Sequence, residues 1–535
     1  MTITPEIKIW FAAFIILVAV SALFHQRQRQ GWALFTLTLG GLCLYLIAAN
    51  LYPFLNLWDE QYHALVAKNC MAHPFRPMLY EEAVVPGHDY GNWICADIWL
   101  HKQPLFLWQI ALSFKLFGVS LFALRLPSVL MCTLLIPLNY RMAQLLTKRP
   151  DIAYCTALAT ASSWFLFYLT SGGLSTDHND TCFLFYISAS VWAFMEYVHR
   201  GRSSWGWALL VGVLAGGAML TKWLVGLLVF LVWGCYLLAE KGFRLKEWKI
   251  GHLLAALGVT LVLFLSWQLY CFHQFPVEAH RELMLNFGHA NQVIEEHSGP
   301  WSFYLMVLPM QFFGYGPSYW NIHFVWNFST ILCYIVLAVG LVLALRAVRS
   351  RSQRITLFVV LLFVYLFFSH APTKMPAFTF IVSFVWFLAI GCVLQLILQG
   401  ISRVIRQQHV QMVVVAALCA AFGLYASHYP HYYRDEHSWF YETCVKNKHI
   451  CEKWQKTLPE NTLVFNVKSP SMSDNDITSC IAATFHSGRE CYFERPSIGV
   501  LKELQRQGYT IAAVRNPWMP EAYEQDSSIV KLVMR

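Results

Sequence analysis

A chain of 535 residues that is 57% hydrophobic, 16% aromatic and only 13% charged carries recurrent apolar runs of 17 to 23 residues, the pattern of a polytopic helical membrane protein rather than a soluble one. The formal net charge of +9 does not indicate a nucleic-acid partner. Six short loops, around Arg27, Arg141, Arg200, Lys241, Arg346 and Arg403, hold 17 basic residues against four acidic ones, so the excess is topological and marks those loops as cytoplasmic.

Residues 8–24 form the first run. Lys8 is the only basic residue ahead of it and no small-residue cleavage site follows, so it reads as a retained span and not a signal peptide. Alternating the basic loops across the membrane then places spans near 32–54, 121–140, 152–170, 181–198, 205–221, 223–239, 251–270, 324–345, 355–369, 376–398 and 410–427. About twelve spans result, with both termini outside the cytoplasm. The apolar stretches 104–119 and 301–320 fit no crossing, because either one alone would flip every later basic loop. Lys115 and the Gly314/Gly316/Pro317 cluster agree with a placement at the outer interface or as re-entrant pieces.

From about residue 429 charges become frequent and apolar runs short. Thr462 to Val467 and Tyr509 to Val514 read as strands, and Ile498 to Gln507 as an amphipathic helix. The expected organisation is an all-α polytopic membrane domain over 1–428 and a small soluble α/β domain over 429–535. Cys444, Cys451, Cys480 and Cys491, in an extracytoplasmic module, are expected to form two disulfides.

This topology gathers chemistry on the outer side. Asp59 and Glu60 follow directly on an apolar run, where a carboxylate is costly: about 2.5–3.5 kcal/mol at mid-membrane. Asp97, Asp177 and Asp180 share that side with the cations Lys102, Arg125, Lys222, Arg281 and Lys374. A carboxylate that takes a proton from a hydroxyl, opposite cations that hold a leaving phosphate, is the minimum apparatus for displacing phosphate from an activated sugar. The alternative is a set of mutually paired loop charges. No Gly-rich nucleotide loop, HExxH or CxxC spacing is present.

In series, Asp59-Glu60, Lys102-Gln103-Pro104-Leu105, Leu116-Phe117-Gly118-Val119-Ser120, Arg125-Leu126-Pro127-Ser128, Asp177, Leu220-Thr221-Lys222, His297-Ser298-Gly299-Pro300 with Tyr304, and Lys374-Met375-Pro376 resemble the membrane glycosyltransferases of the GT-C fold. Within that fold the resemblance is to the aminoarabinose transferase and protein O-mannosyltransferase group, which uses polyprenyl-phosphate sugars. The resemblance covers roughly residues 50–400. It implies Asp59 as general base, Glu60 as its orienting partner or the partner of a nearby cation, and Asp177 as the second acidic position. Lys102, Lys374 and Arg125 would contact the donor phosphate. It further implies a polyprenyl-phosphate sugar donor, a lipid A-like, polysaccharide or protein acceptor, inversion at the anomeric carbon, and residence among the lipids of a bacterial inner membrane with the site and tail periplasmic.

His101 and His297 match positions where relatives carry metal ligands, and with a carboxylate and the donor phosphate they would complete a tetrahedral zinc site. The alternative is that both are hydrogen-bonded loop residues. Three positions depart from the family pattern: Gln103 replaces a proline, Gly172 an arginine and Phe378 a tyrosine. Two other readings stay open, a transporter or flippase for an anionic lipid or solute and a catalytically silent member of the group.

Overall fold

The computed structural model describes residues 5–56, 59–81, 83–85, 91, 93–173, 177–200, 204–244, 246, 248–289, 291–294, 297–314, 328–426, 439–468 and 479–534. Two apolar helices, α1 (Pro5–Gln26) and α2 (Gln30–Ala49), pack as a hairpin. The short α3 (Asp59–Asn69) carries both acids in its first turn. Next, α4 (Leu105–Phe117) has 13 residues, about 20 Å of helix at 1.5 Å per residue, too short for a hydrocarbon core of about 30 Å. There follow α5 (Leu121–Thr147), α6 (Pro150–Ala161), α7 (Trp164–Thr170), α8 (Asp177–His199), α9 (Trp205–Lys222), α10 (Leu228–Lys241) and α11 (Ile250–Gln274). Then come α12 (Pro276–Gly288), α13 (Phe303–Met306), α14 (Leu308–Phe313), α15 (Phe328–Ala347), α16 (Arg351–His370), α17 (Ser383–Val404) and α18 (Gln408–Ala426).

Among the described residues nine helical stretches are long and apolar enough to cross a membrane, ten if α6 and α7, bent by 41°, make one span. One of the nine, 205–241, is 37 residues long, and it doubles back. Lys222, at the end of α9, bonds Asp180 at the start of α8. On α10, Trp233 lies 4.9 Å from Tyr197 near the far end of α8, and Trp205, which begins α9, packs on His252, the partner of the Tyr197 hydroxyl. Both ends of the stretch therefore meet the same end of α8, with the reversal at Trp223, whose φ is +54°. That is the division into 205–221 and 223–239 expected from the charge pattern. The apolar α4 and the α13–α14 segment are short helices and not spans, as their place in the topology requires.

Close approach holds the bundle together. A Cβ on Gly212 of α9 would stand 2.4 Å from the Ala256 carbonyl of α11, so the two backbones touch as small-residue faces do in lipid, where no hydrophobic drive exists between helices.

Beyond α18, helix Trp439–Thr457 leads into β1 (Thr462–Phe465), helix Cys480–Ser487, β2 (Glu490–Cys491), helix Ile498–Arg506, β3 (Thr510–Val514), helix Glu521–Gln525 and β4 (Val530–Leu532). All pairings are parallel in the order β2-β1-β3-β4. Every residue of β1 is buried, as expected for a parallel strand covered by helices on both faces. Both strands and the helix read from the sequence are present; β2 and β4, of two and three residues, are too short to leave a periodic signal.

The expected disulfides are not formed. Cys444, Cys451, Cys480 and Cys491 are free thiols, and the last three are buried in the tail's core as small apolar side chains. That core continues into the membrane domain's outer layer. Tyr492 stacks on Tyr80 at 5.1 Å, the Tyr80 hydroxyl donates to the Cys491 carbonyl (2.9 Å), and Ser479 donates to Gln61 of α3. The tail is thus seated on the helix that carries Asp59 and Glu60. Maleimide labelling of the denatured, non-reduced protein is expected to modify all four tail cysteines; two protected pairs would contradict the fold described here.

Candidate active site

The site is organised around a charge with no access to water. Arg125, in the second turn of α5, and Glu60 are both fully buried. Nε donates to Glu60 Oε1 (2.7 Å), Nη2 to Glu60 Oε2 (3.0 Å) and the Phe54 carbonyl (3.0 Å), and Nη1 to the carbonyls of Ala49 (2.9 Å) and Tyr52 (2.6 Å). All five N–H groups are occupied, which is the condition for burying a guanidinium. Glu60 also accepts from the backbone and side-chain nitrogens of Asn56 (2.8 and 3.0 Å), and His178 Nε2 lies 3.2 Å away. Burial alone would raise the Glu60 pKa; the Arg125 charge and these hydrogen bonds outweigh it and hold the carboxyl below the ordinary range.

Beside it runs a second chain of buried groups. Asp59 Oδ2 faces Lys102 Nζ at 3.3 Å, Lys102 Nζ lies 3.1 Å from His101 Nε2, and His101 Nδ1 lies 3.2 Å from Glu282 Oε2 on α12. Burial, reinforced by the Lys102 charge, pushes the His101 pKa well below its usual value, and burial raises that of Glu282. An ammonium can only donate, so Nε2 of the neutral ring accepts from Lys102 and Nδ1–H points at Glu282. Trp93 stacks on the ring at 4.5 Å and fixes its plane.

His101 and Lys102 border a cleft. Its polar wall includes Lys102, Asn179, Asp180, Lys222 and His289; its apolar wall includes Phe367, Phe368, Met375 and Phe378. Lys222 is bonded to Asp180 and lies 4.9 Å over the Phe378 ring. Asp59, 7% exposed, stands behind Lys102 and not on the described lining.

Several expectations change against this geometry. Arg125 does not face the cleft; its donors are spent on Glu60 and three carbonyls. Lys374 is also engaged, since Nζ donates to the carbonyls of Phe368 (2.9 Å), Ser369 (2.6 Å) and Ala371 at the end of α16, where a cation meets the helix's negative pole. The cations on the cleft are Lys102 and Lys222. Asp177 opens α8, and its side chain lies outside the described residues.

Among the described residues the expected zinc site is not assembled. The one lone-pair nitrogen of His101 faces an ammonium, and no group of three or more His, Cys, Asp or Glu among the described residues is placed to hold a metal ion.

Each departure from the family pattern has a local reason. Gly172 has φ +75°, and a Cβ there would stand 2.3 Å from Glu60 Oε1, so no larger residue fits beside the Glu60–Arg125 pair. Gln103 accepts from Gln268 of α11 (2.8 Å), and Phe378 offers Lys222 a ring face in place of a hydroxyl. Sequence reasoning did not single out Glu282, Asn179 or His289; all three lie in segments it had placed outside, but no spacing marks them.

Comparison with known proteins bears on the fold that carries this arrangement. Residues 101–267 match the family described as dolichyl-phosphate-mannose-protein mannosyltransferase. The structure aligns with ArnT from Cupriavidus metallidurans bound to undecaprenyl phosphate at a TM-score of 0.61, 16% identity, over 89% of this chain and 88% of that one. The chain has the GT-C fold. A second GT-C neighbour is the oligosaccharyltransferase AglB from Archaeoglobus fulgidus, with a TM-score of 0.52 and 11% identity over 85% of this chain and 64% of that one.

By sequence, the chain is 28% identical over 299 residues to the undecaprenyl phosphate-alpha-4-amino-4-deoxy-L-arabinose arabinosyl transferase of Pseudomonas paraeruginosa, covering 53% of this chain and 48% of the relative. The Pseudomonas aeruginosa (strain UCBPP-PA14) enzyme of the same name is 27% identical over the same shares. The chain thus spans about half the length of the curated relatives it matches. These likenesses bear out the resemblance drawn from the motifs, and the GT-C chain is a multi-pass inner-membrane protein.

Two substitutions test the buried pair. Arg125→Met strands the Glu60 carboxylate and is expected to cost about 3–5 kcal/mol, read as a fall in the melting temperature of the detergent-solubilised protein. Gly172→Ala combines a left-handed backbone, costly by about 1–2 kcal/mol for a residue with a Cβ, with a collision against Glu60. It is expected to lower the melting temperature comparably, whereas Gly206→Ala, at a glycine whose nearest neighbouring atom is 3.8 Å from the built Cβ, is expected to leave it unchanged.

Proposed function

We propose that this protein is a membrane glycosyltransferase that moves a sugar from a polyprenyl phosphate, undecaprenyl phosphate being the bacterial case, to a lipid A-like, polysaccharide or protein acceptor at the periplasmic face. One observation carries the reading: two lysines, Lys102 and Lys222, each paired with a carboxylate, stand on a cleft whose other wall is aromatic and aliphatic. Such a cleft suits a ligand that is anionic at one end and isoprenoid at the other. A second cavity, between α5, α8, α10 and α16, shares Ile381 with the cleft and is lined mainly by aliphatic and aromatic side chains. It offers an apolar continuation for the lipid.

In this reading the acceptor hydroxyl attacks the anomeric carbon and its proton passes to Asp59. The carbon–oxygen bond to the phosphate breaks, and its electron pair leaves on the phosphate, where Lys102 and Lys222 offset the growing charge. A contact of that kind is worth about 3–4 kcal/mol in a water-poor site. Donor phosphate competes with Asp59 for Lys102, so binding of the donor frees the carboxylate as base. Attack from the face opposite the phosphate inverts the anomeric centre. The carbonyl-bonded Arg125 and Lys374 act as struts, and Asp177, at the head of the helix that also supplies Asp180, is the second acidic position of the motif series.

The charged groups gather at the start of α8, whereas Arg141, Glu196 and Arg200 cluster at its other end. That separation supports a periplasmic site by the positive-inside rule. It also disfavours the transport reading, which calls for polar groups along a path between the two faces. Asp59→Asn is expected to abolish sugar transfer in membranes supplied with undecaprenyl-phosphate sugar while leaving expression and melting temperature intact. Full transfer by that variant, with loss in Asp180→Asn instead, would move the base to Asp180.

A further inference from the structure

One polar side chain on the cleft has no partner in the protein. Asn179, the third residue of α8, is 2% exposed and lines the cleft, yet its Oδ1 is sealed from solvent and accepts no hydrogen bond. Its position leaves it little freedom. His178 before it is tied to Glu60 and Ser128, and Asp180 after it is tied to Lys222. Buried amide groups are satisfied in the great majority of cases, and an exception inside a cleft points to a ligand.

A second such atom belongs to another residue of the same lining. His289, which caps the end of α12, lines the cleft, and its Nδ1 is likewise buried with no hydrogen bond. Burial first, then the charges of Lys102 and Lys222, bring its pKa down to about 4, so the ring is neutral at physiological pH and offers one donor and one acceptor.

The chemistry of these atoms selects among the parts of a glycosyl donor. An amide oxygen can only accept, so its complement is an O–H or N–H group; the phosphodiester anion of the donor has none, and Lys102 and Lys222 on the cleft are its natural partners. Isoprene has no polar atom at all. We infer that Asn179 and His289 form the subsite that reads the hydroxyl or amino substituents of the transferred sugar ring, an inference that rests on the transferase reading above. Both residues bind and orient; neither takes part in the proton transfer assigned to Asp59. A site built to hydrogen-bond a substituent rejects the analogue that lacks it far more strongly than an apolar pocket does.

The test uses the purified full chain and lipid binding measured with undecaprenyl phosphate and with its 4-amino-4-deoxyarabinosyl, arabinosyl and glucosyl derivatives. Wild type is expected to bind at least one sugar-bearing lipid more tightly than undecaprenyl phosphate itself. Asn179→Leu and His289→Phe are each expected to reduce that preference by about tenfold or more, while affinity for undecaprenyl phosphate stays within about twofold. His289→Asn, which retains a donor and an acceptor, is expected to restore part of the preference. Because Asn179→Leu removes an unsatisfied group and keeps its shape, its melting temperature is expected to equal or exceed that of wild type. Equal weakening of sugar-bearing and bare lipid, an unchanged preference in both variants, or a wild type with no preference overturns the subsite. A wild type that binds none of these lipids overturns the transferase reading itself, and the subsite with it.

Discussion

A guanidinium and a carboxylate sealed together away from water are the constraint from which the rest of the site follows. Arg125 and Glu60 are tolerable there only because every donor of the first and both oxygens of the second are occupied, in part by three backbone carbonyls between Ala49 and Phe54. Those carbonyls belong to the chain as it leaves α2, so the pair ties the end of one span to the start of α5 and clamps α3 between them. His178 adds the head of α8 to the same knot. Four elements are held at one point, and the neighbouring residues inherit fixed positions, Asp180 on the cleft wall and Asp59 behind Lys102.

The second chain, from Asp59 through Lys102 and His101 to Glu282, has a different character. Its members alternate in charge and in donor capacity, and its imidazole is neutral, so no group is left as an isolated buried ion. Lys102 is the member that meets both the carboxylate and the cleft. In the proposed reading it is the member that turns toward an incoming anion, while Arg125 carries the fold. Cations spent on the fold and cations on the cleft are separate residues here, although in the amino-acid sequence they look alike.

That likeness explains which parts were legible beforehand. Spans, their order and the reversal near Trp223 follow from the spacing of apolar runs and basic loops, because hydrocarbon thickness and loop charge act on the chain directly. The motif series located the cleft for the same reason that it recurs: its residues sit at the ends of helices that a common fold brings together. What the series could not separate was an arginine that binds ligand from one whose five donors meet carbonyls, or a lysine on a cleft from one that caps α16. Those distinctions depend on tertiary neighbours. Gly172 is the clearest case: from the sequence it is a lost arginine, while in three dimensions it is the space that the Glu60 carboxylate fills. The tail cysteines erred in the other direction, since a count of thiols carries no information about which side chains face one another.

The seat of the tail on α3 has a bearing on how the molecule is made. Gln61 meets Ser479 across a sequence separation of 418 residues, so the helix bearing the acids leaves the ribosome well before the segment that covers it. During that interval the spans can insert and pair locally, a low-contact-order process, whereas the outer layer closes only when a remote segment arrives. A segment synthesised long after the acids thus completes their surroundings, which couples closure of the site to the arrival of a remote part of the chain.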